Sequence, residues 1–103
     1  IAVDKLDCPF GQIRFDIMAE PNTVRVSISL DKSVRGKGLS KILLNLGISA
    51  IRDQLGQNIR VIAQIFSSNS ASIACFLGVG FRLMSEPDSQ EPLTYLLEGN
   101  PVI

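Results

Sequence analysis

No histidine and no tryptophan occur among the 103 residues. Without imidazole, zinc sites of the Cys/His type are excluded and no metal is expected. Ser-His or Cys-His nucleophile pairs are excluded with them. Cysteine is scarce: Cys8 and Cys75 stand far apart with no partner motif, and Cys75, inside an apolar run, reads as a buried, inert thiol. Net charge is zero, with a pI near 6.4. That argues against nucleic-acid binding, which needs a basic surface. No apolar run reaches membrane-spanning length and no signal peptide is visible, so no membrane contact is expected. A reducing, cytoplasmic setting is the expectation. What is present is apolar: 46% of residues, enough to build one core and argue against disorder. Residues 1–103 read as a single small domain. The sequence starts at Ile1 without Met and enters strand-like sequence at once, which reads as a piece of a longer chain.

The patterning predicts β-β-β-α-β-α-β-β. Ile1 to Val3 reads as a short strand followed by a polar turn over Asp4 to Asp7. From Phe10 to Met18, Ile13, Phe15 and Ile17 share one face and Gln12, Arg14 and Asp16 the other. Glu20-Pro21-Asn22 marks a turn. Val24, Val26, Ile28 and Leu30 then alternate with Arg25, Ser27 and Ser29, which predicts an antiparallel hairpin. From Leu39 the period changes to two helical stripes: Leu39, Leu43, Leu46 and Ala50, and Leu44, Ile48, Ile51 and Leu55. Gly47 inside them predicts close backbone packing, and Gly56 a helix stop. Ile59 to Phe66 is β-branched and apolar, as a central strand is. Ser70 to Val79 reads as a short helix, and Phe81 to Met84 and Leu93 to Leu97 as two last strands. The crossover from Thr23–Leu30 through a helix to Ile59–Phe66 predicts a parallel pair. A mixed, mostly antiparallel central sheet with two helices follows.

Charge is concentrated in one place. Lys32, Arg35, Lys37 and Lys41 fall within ten residues, around Gly36 and Gly38. A Gly-rich basic turn opening a helix suits a phosphate: glycine allows close backbone approach, and the helix N-terminus adds positive potential. A Walker A loop is excluded because Gly38 follows Lys37 where Ser or Thr is required. A dinucleotide fingerprint fails at Lys41, which stands in the third glycine place.

Arg35-Gly36-Lys37-Gly38-Leu39-Ser40 resembles the acyl-CoA-binding turn of the GNAT superfamily of N-acetyltransferases, with Ser40 in place of the usual Gly or Ala. The run from Asn69 through Phe76 to Gly80-Phe81 resembles the Asn-led helix of the same family. Pro9 to Asp16 resembles acetyltransferase domains attached to bacterial sugar-biosynthesis enzymes. The resemblance implies the acyl-CoA N-acyltransferase fold, here lacking its first strand and first two helices. It implies acetyl-CoA as cosubstrate and a primary amine as acceptor, attacked directly in a ternary complex. That amine belongs to a small molecule such as an amino sugar, or to a protein or peptide.

By the same resemblance, backbone N–H groups of Arg35, Gly36, Lys37, Gly38, Leu39 and Ser40 would grip the pyrophosphate. The backbone of Ile28 to Leu30 would pair with the pantetheine arm and polarise the thioester carbonyl. Asn69 and Phe76 would line the arm, with Asn69 and Ser29 as candidate catalytic residues. Asn69 is also readable as a helix N-cap, and Phe76 as core. Many family members carry Tyr at the Phe76 position as general acid; Phe has no proton to give. No general base declares itself. Ser27, Ser29, Glu20 and Asp16 are candidates, each also readable as an ordinary strand or turn residue. The alternative reading is therefore a non-catalytic CoA-binding or structural domain. A first strand with an open edge leaves room for a homodimer.

Overall fold

A computed structural model describes residues 2–8, 11–30, 38–86 and 90–99. The elements are β1 (Ala2–Cys8), β2 (Gly11–Ile17), β3 (Thr23–Leu30), α1 (Leu39–Leu55), β4 (Arg60–Ile65), α2 (Ser70–Val79), β5 (Arg82–Leu83) and β6 (Leu93–Leu97). The predicted order holds, and the six strands form one sheet in the order β1-β2-β3-β4-β6-β5. Among the described residues only β3 and β4 pair in parallel. Every other neighbour is antiparallel.

Two expectations are corrected. β1 does not end at Val3: it continues through Asp4, Lys5 and Asp7 to Cys8, paired along β2. An edge strand needs a ladder on one side only and tolerates polar residues. In α1 only part of the proposed pattern is buried. Leu43, Leu44, Gly47, Ile48, Ile51 and Arg52 face inward, while Leu46, Ala50 and Leu55 are exposed. One sheet face covers a single helical stripe, built around Leu44, Ile48 and Ile51, so Leu46 and Ala50 of the other row stay exposed.

Turn chemistry sets the element ends. Asn22 takes a positive φ of 56° between β2 and β3, a conformation Asn tolerates well. Thr23 Oγ1 closes that turn by donating to Pro21 O at 3.0 Å. Gly38 (φ 75°) precedes α1, and Gly56 (φ 119°) ends it with its N–H on Arg52 O.

Both helices pack on one sheet face. A Cβ on Gly47 would lie 2.7 Å from Ile13 Cδ1 and 3.3 Å from Phe15 Cε2, so α1 rests directly on β2. A Cβ on Gly80, at the end of α2, would lie 3.3 Å from Leu97 Cδ1 on the same face. The core between the layers is Ile13, Phe15, Val24, Val26, Val61, Ala63, Ile65 and Tyr95 against Leu43, Leu44, Ile48, Ile51, Phe76 and Phe81. Cys75 is half-buried at the rim of this core rather than fully inside it. No helix among the described residues is long and apolar enough to cross a membrane.

Candidate functional site

The two parallel strands part company halfway. β3 and β4 pair only from Thr23 with Arg60 to Arg25 with Ile62. Beyond that point β3 keeps its ladder to β2 and β4 keeps its ladder to β6, but the two no longer bond to each other. The opening holds a cavity of about 220 Å³. Its walls are Val26, Ser27 and Ile28 on β3, and Ala63, Gln64, Ile65 and Phe66 on and after β4. Asn69, Ser72 and Phe76 of the α2 segment close it on the helix side.

Strand alternation gives the cavity two characters. Val26, Ile28, Ala63 and Ile65 point to the helix side, where Phe76 lies 4% exposed and edge-on to Phe81 at 5.0 Å. Ser27 and Gln64 point to the opposite, helix-free face and are exposed there. Among the described residues lining the cavity, none carries an ionisable side chain.

Both helices aim their N-termini at this open end. α1 returns from the C-terminal end of β3 to the start of β4, and α2 leaves from the C-terminal end of β4. Neither helix has an acidic residue in its first turn to offset the positive end of its dipole. Asn69 caps α2 by accepting the Ser72 N–H at 3.3 Å, while both residues also line the cavity. The cap reading and the site reading of Asn69 are therefore compatible. At α1 the cap is Gly38, exposed and left-handed, with open space where a Cβ would be. Leu39 and Ser40 form the first turn behind it, half-buried. Lys41 is exposed, and its Nζ would stand 3.5 Å from a Cβ on Gly78, so its ammonium leans on α2.

Of the proposed site residues, Ile28, Asn69 and Phe76 meet at the cavity. Arg35, Gly36 and Lys37 lie outside the described residues, and so does the side chain of Leu30. Ser29 is exposed on the helix-free face and does not line the cavity; Ser27 does. Glu20 sits exposed in the β2–β3 turn, beyond the joined end of the strands and away from the opening. Asp16 is buried on β2, with Oδ2 shared by Arg14 at 3.1 Å and Arg25 at 3.6 Å. That oxygen is engaged by two guanidinium groups on β2 and β3, away from the residues that line the cavity. Gln64 and Ser72 were not anticipated. Gln64 is the one uncharged polar side chain in the Ile59–Phe66 run, the available signal for it.

Just past the cavity, Ser67 donates its N–H to Glu91 Oε1 at 2.6 Å. Hydrogen bonding to Ser67 holds the Glu91 carboxyl below its ordinary range. That favours the charged form and makes Glu91 a weak base.

The family model for the acetyltransferase (GNAT) family matches residues 1–81. The chain belongs to that family. Acetyltransferase structures from several bacteria share its fold. One is yncA from Salmonella typhimurium, solved with its cofactor acetyl-CoA, at TM-score 0.75 and 23% identity over 91% of this chain and 60% of that one. A second is the ribosomal-protein-S5-alanine acetyltransferase from Vibrio fischeri, at TM-score 0.72 and 20% identity over 88% and 55%. A third is a phosphinothricin acetyltransferase from Sinorhizobium meliloti in complex with acetyl-CoA, at TM-score 0.70 and 20% identity over 87% and 54%. The chain thus spans between 54% and 60% of the length of these three structures. No curated protein sequence matches the chain.

Proposed function

We propose that this GNAT chain is an acetyl-CoA-dependent N-acetyltransferase acting on a primary amine. The observation that carries the reading is the opening between β3 and β4, with two helix N-termini at its mouth. An extended amide-containing arm fits between strand edges that lack partners, as an added strand would. The phosphate end of the donor would sit at the α1 N-terminus, where Gly38 leaves backbone open to an anion. Arg35, Gly36, Lys37, Leu39 and Ser40 complete that proposed site, with Ile28 and Leu30 along the arm and Asn69 and Phe76 beneath it.

The chemistry is one displacement. The amine lone pair attacks the thioester carbonyl, the C–N bond forms, the C–S bond breaks, and the thiolate takes up the proton that the nitrogen loses. A backbone N–H of the unpaired β3 edge is suited to polarise the carbonyl. Phe76 cannot protonate the thiolate. The positive ends of α1 and α2 favour the anion instead, and a thiolate of ordinary pKa is an adequate leaving group. With no ionisable side chain among the described lining residues, the acceptor must arrive as the free amine or lose its proton through water.

Calorimetric titration with acetyl-CoA tests the reading. Binding at one site per chain, followed by release of free CoA on adding an amine, is expected. No binding by a folded sample would sink it. The second reading, a CoA-binding domain without turnover, is favoured by Phe76 and by the absence of a base among the described lining residues. Tight acetyl-CoA binding with no thiol release across amines of varied charge would select it.

A further inference from the structure

The helix-free face of the sheet is more basic than the chain as a whole. Among the described side chains of β2 to β6, its charged residues are Arg14, Arg25, Arg60 and Arg82 against Asp16 and Glu98 just after β6. The sequence hides this because the four arginines stand far apart along the chain.

Two of them adjoin the cavity. In the β2–β3 ladder Arg14 is the direct partner of Ser27, and Asp16 is the partner of Arg25. Arg14 therefore begins one strand spacing, about 4.8 Å, from the residue that lines the opening. Arg25 begins two residues back along β3, about 6.6 Å away on the same face. Asp16 orients both guanidinium groups but balances only one of them. The arginine side chains remain 49% and 37% exposed, with donors to spare.

We infer that Arg14 and Arg25 form an anion clamp that selects acceptors carrying a carboxylate or phosphate a few bonds from the amine, and discriminates against polyamines. The inference rests on the acetyltransferase reading. Apolar residues line the cavity towards the helices, and the polar pair Ser27 and Gln64 opens onto the arginine face. An amine entering from that face, between Ser27 and Gln64, brings a group about four carbons away within reach of the two forks. Paired N–H donors of a guanidinium match a carboxylate or phosphate in shape as well as charge. A second ammonium at the same place would meet two like charges held in position by a buried carboxylate.

The test is a charge series of one length on the full chain with acetyl-CoA: 4-aminobutyrate, butylamine and 1,4-diaminobutane. KM is expected to rise in that order, with at least a ten-fold gap between the first two. In Arg14→Gln and in Arg25→Gln that ratio falls towards one. 2-Aminoethyl phosphate against ethanolamine makes the same comparison for a phosphate and shows which anion is preferred. Equal KM values in the parent chain, or a ratio unmoved in both variants, would overturn the clamp. Guanidinium Nε–H resonances decide it without turnover: the Arg14 and Arg25 signals should shift with 4-aminobutyrate and not with butylamine. Unmoved signals refute the clamp even if acetyl-CoA is bound and consumed. Shifted signals with no acetyl-CoA binding keep the clamp and refute the acetyltransferase.

Discussion

Along one pair of strands the molecule does two opposite things. From Thr23 to Arg25, β3 is tied to β4 by ladder bonds; from Val26 onward the same two strands stand apart around a cavity. The joined half is fastened from several sides. Arg60 N–H donates to Asn22 O at 2.7 Å, and the buried Arg52 donates from α1 to Ile59 O at 3.3 Å and to Glu98 O at 2.5 Å. The open half has its own support, the edge-on Phe76–Phe81 pair and the Asn69 cap. The lesson is that the opening is a built feature: the sheet is locked at one end so that it can be spread at the other.

Four substitutions probe that contrast. Phe76→Ala is expected to have the largest effect, because it empties the support of the open half. A buried Phe-to-Ala change costs about 3–5 kcal/mol, read as a lower denaturant midpoint, with acetyl-CoA affinity lost in parallel. Arg52→Ala attacks the joined half instead. Removing its charged donors leaves the Ile59 and Glu98 carbonyls short of partners, at about 2–3 kcal/mol. Here stability should drop while the bound state, once saturated, keeps its turnover. An equal loss in both would show that the two halves are not separable.

Gly38→Val comes third and separates fold from ligand. A β-branched residue at φ 75° costs about 1–2 kcal/mol. The larger loss should appear in acetyl-CoA titration, since the side chain fills the open space above the α1 terminus. Affinity equal to that of the parent chain would move the phosphate site elsewhere. The smallest effect belongs to Glu91→Gln. The depressed Glu91 pKa means that its contribution to stability is present above the ordinary carboxylate range. It is lost as pH falls through the lower, folded-state value. Acid titration of the melting temperature should therefore flatten slightly in the variant at low pH and be unchanged at neutral pH.

Alternation in β2 and β3, the period change at Leu39 and the glycines at 47 and 56 made the elements, the inward faces and the parallel crossover readable from sequence. The spread of β3 from β4 was not, because Val26 and Ala63 alternate on both sides of the point where pairing stops. Nothing local marks the end of a ladder set by long-range packing. The same reason hid the arginine face: residues 14, 25, 60 and 82 become neighbours only through strand order. Asn69, Phe76 and Ile28 could be proposed because each belongs to a local motif or strand. Leu46 and Ala50 were misread because a helix pattern says which residues share a stripe, and not how wide the covering surface is.

In the proposed binding mode the edges of β3 and β4, which have no ladder to each other beyond Arg25 and Ile62 among the described residues, would act as a ruler. An amide-bearing arm that entered there would exchange hydrogen bonds with water for hydrogen bonds with the strand edges. Each exchange nets only about 0.5–1.5 kcal/mol. What the edges dictate is position, since a ladder accepts an amide at one register and refuses it half a step away. If the phosphate sits at Gly38 as proposed, the reach from there to the Ser27–Gln64 gap would fix how far a carbonyl can hang from it. A donor with a shorter or longer arm would be held at the helix end and still miss the amine.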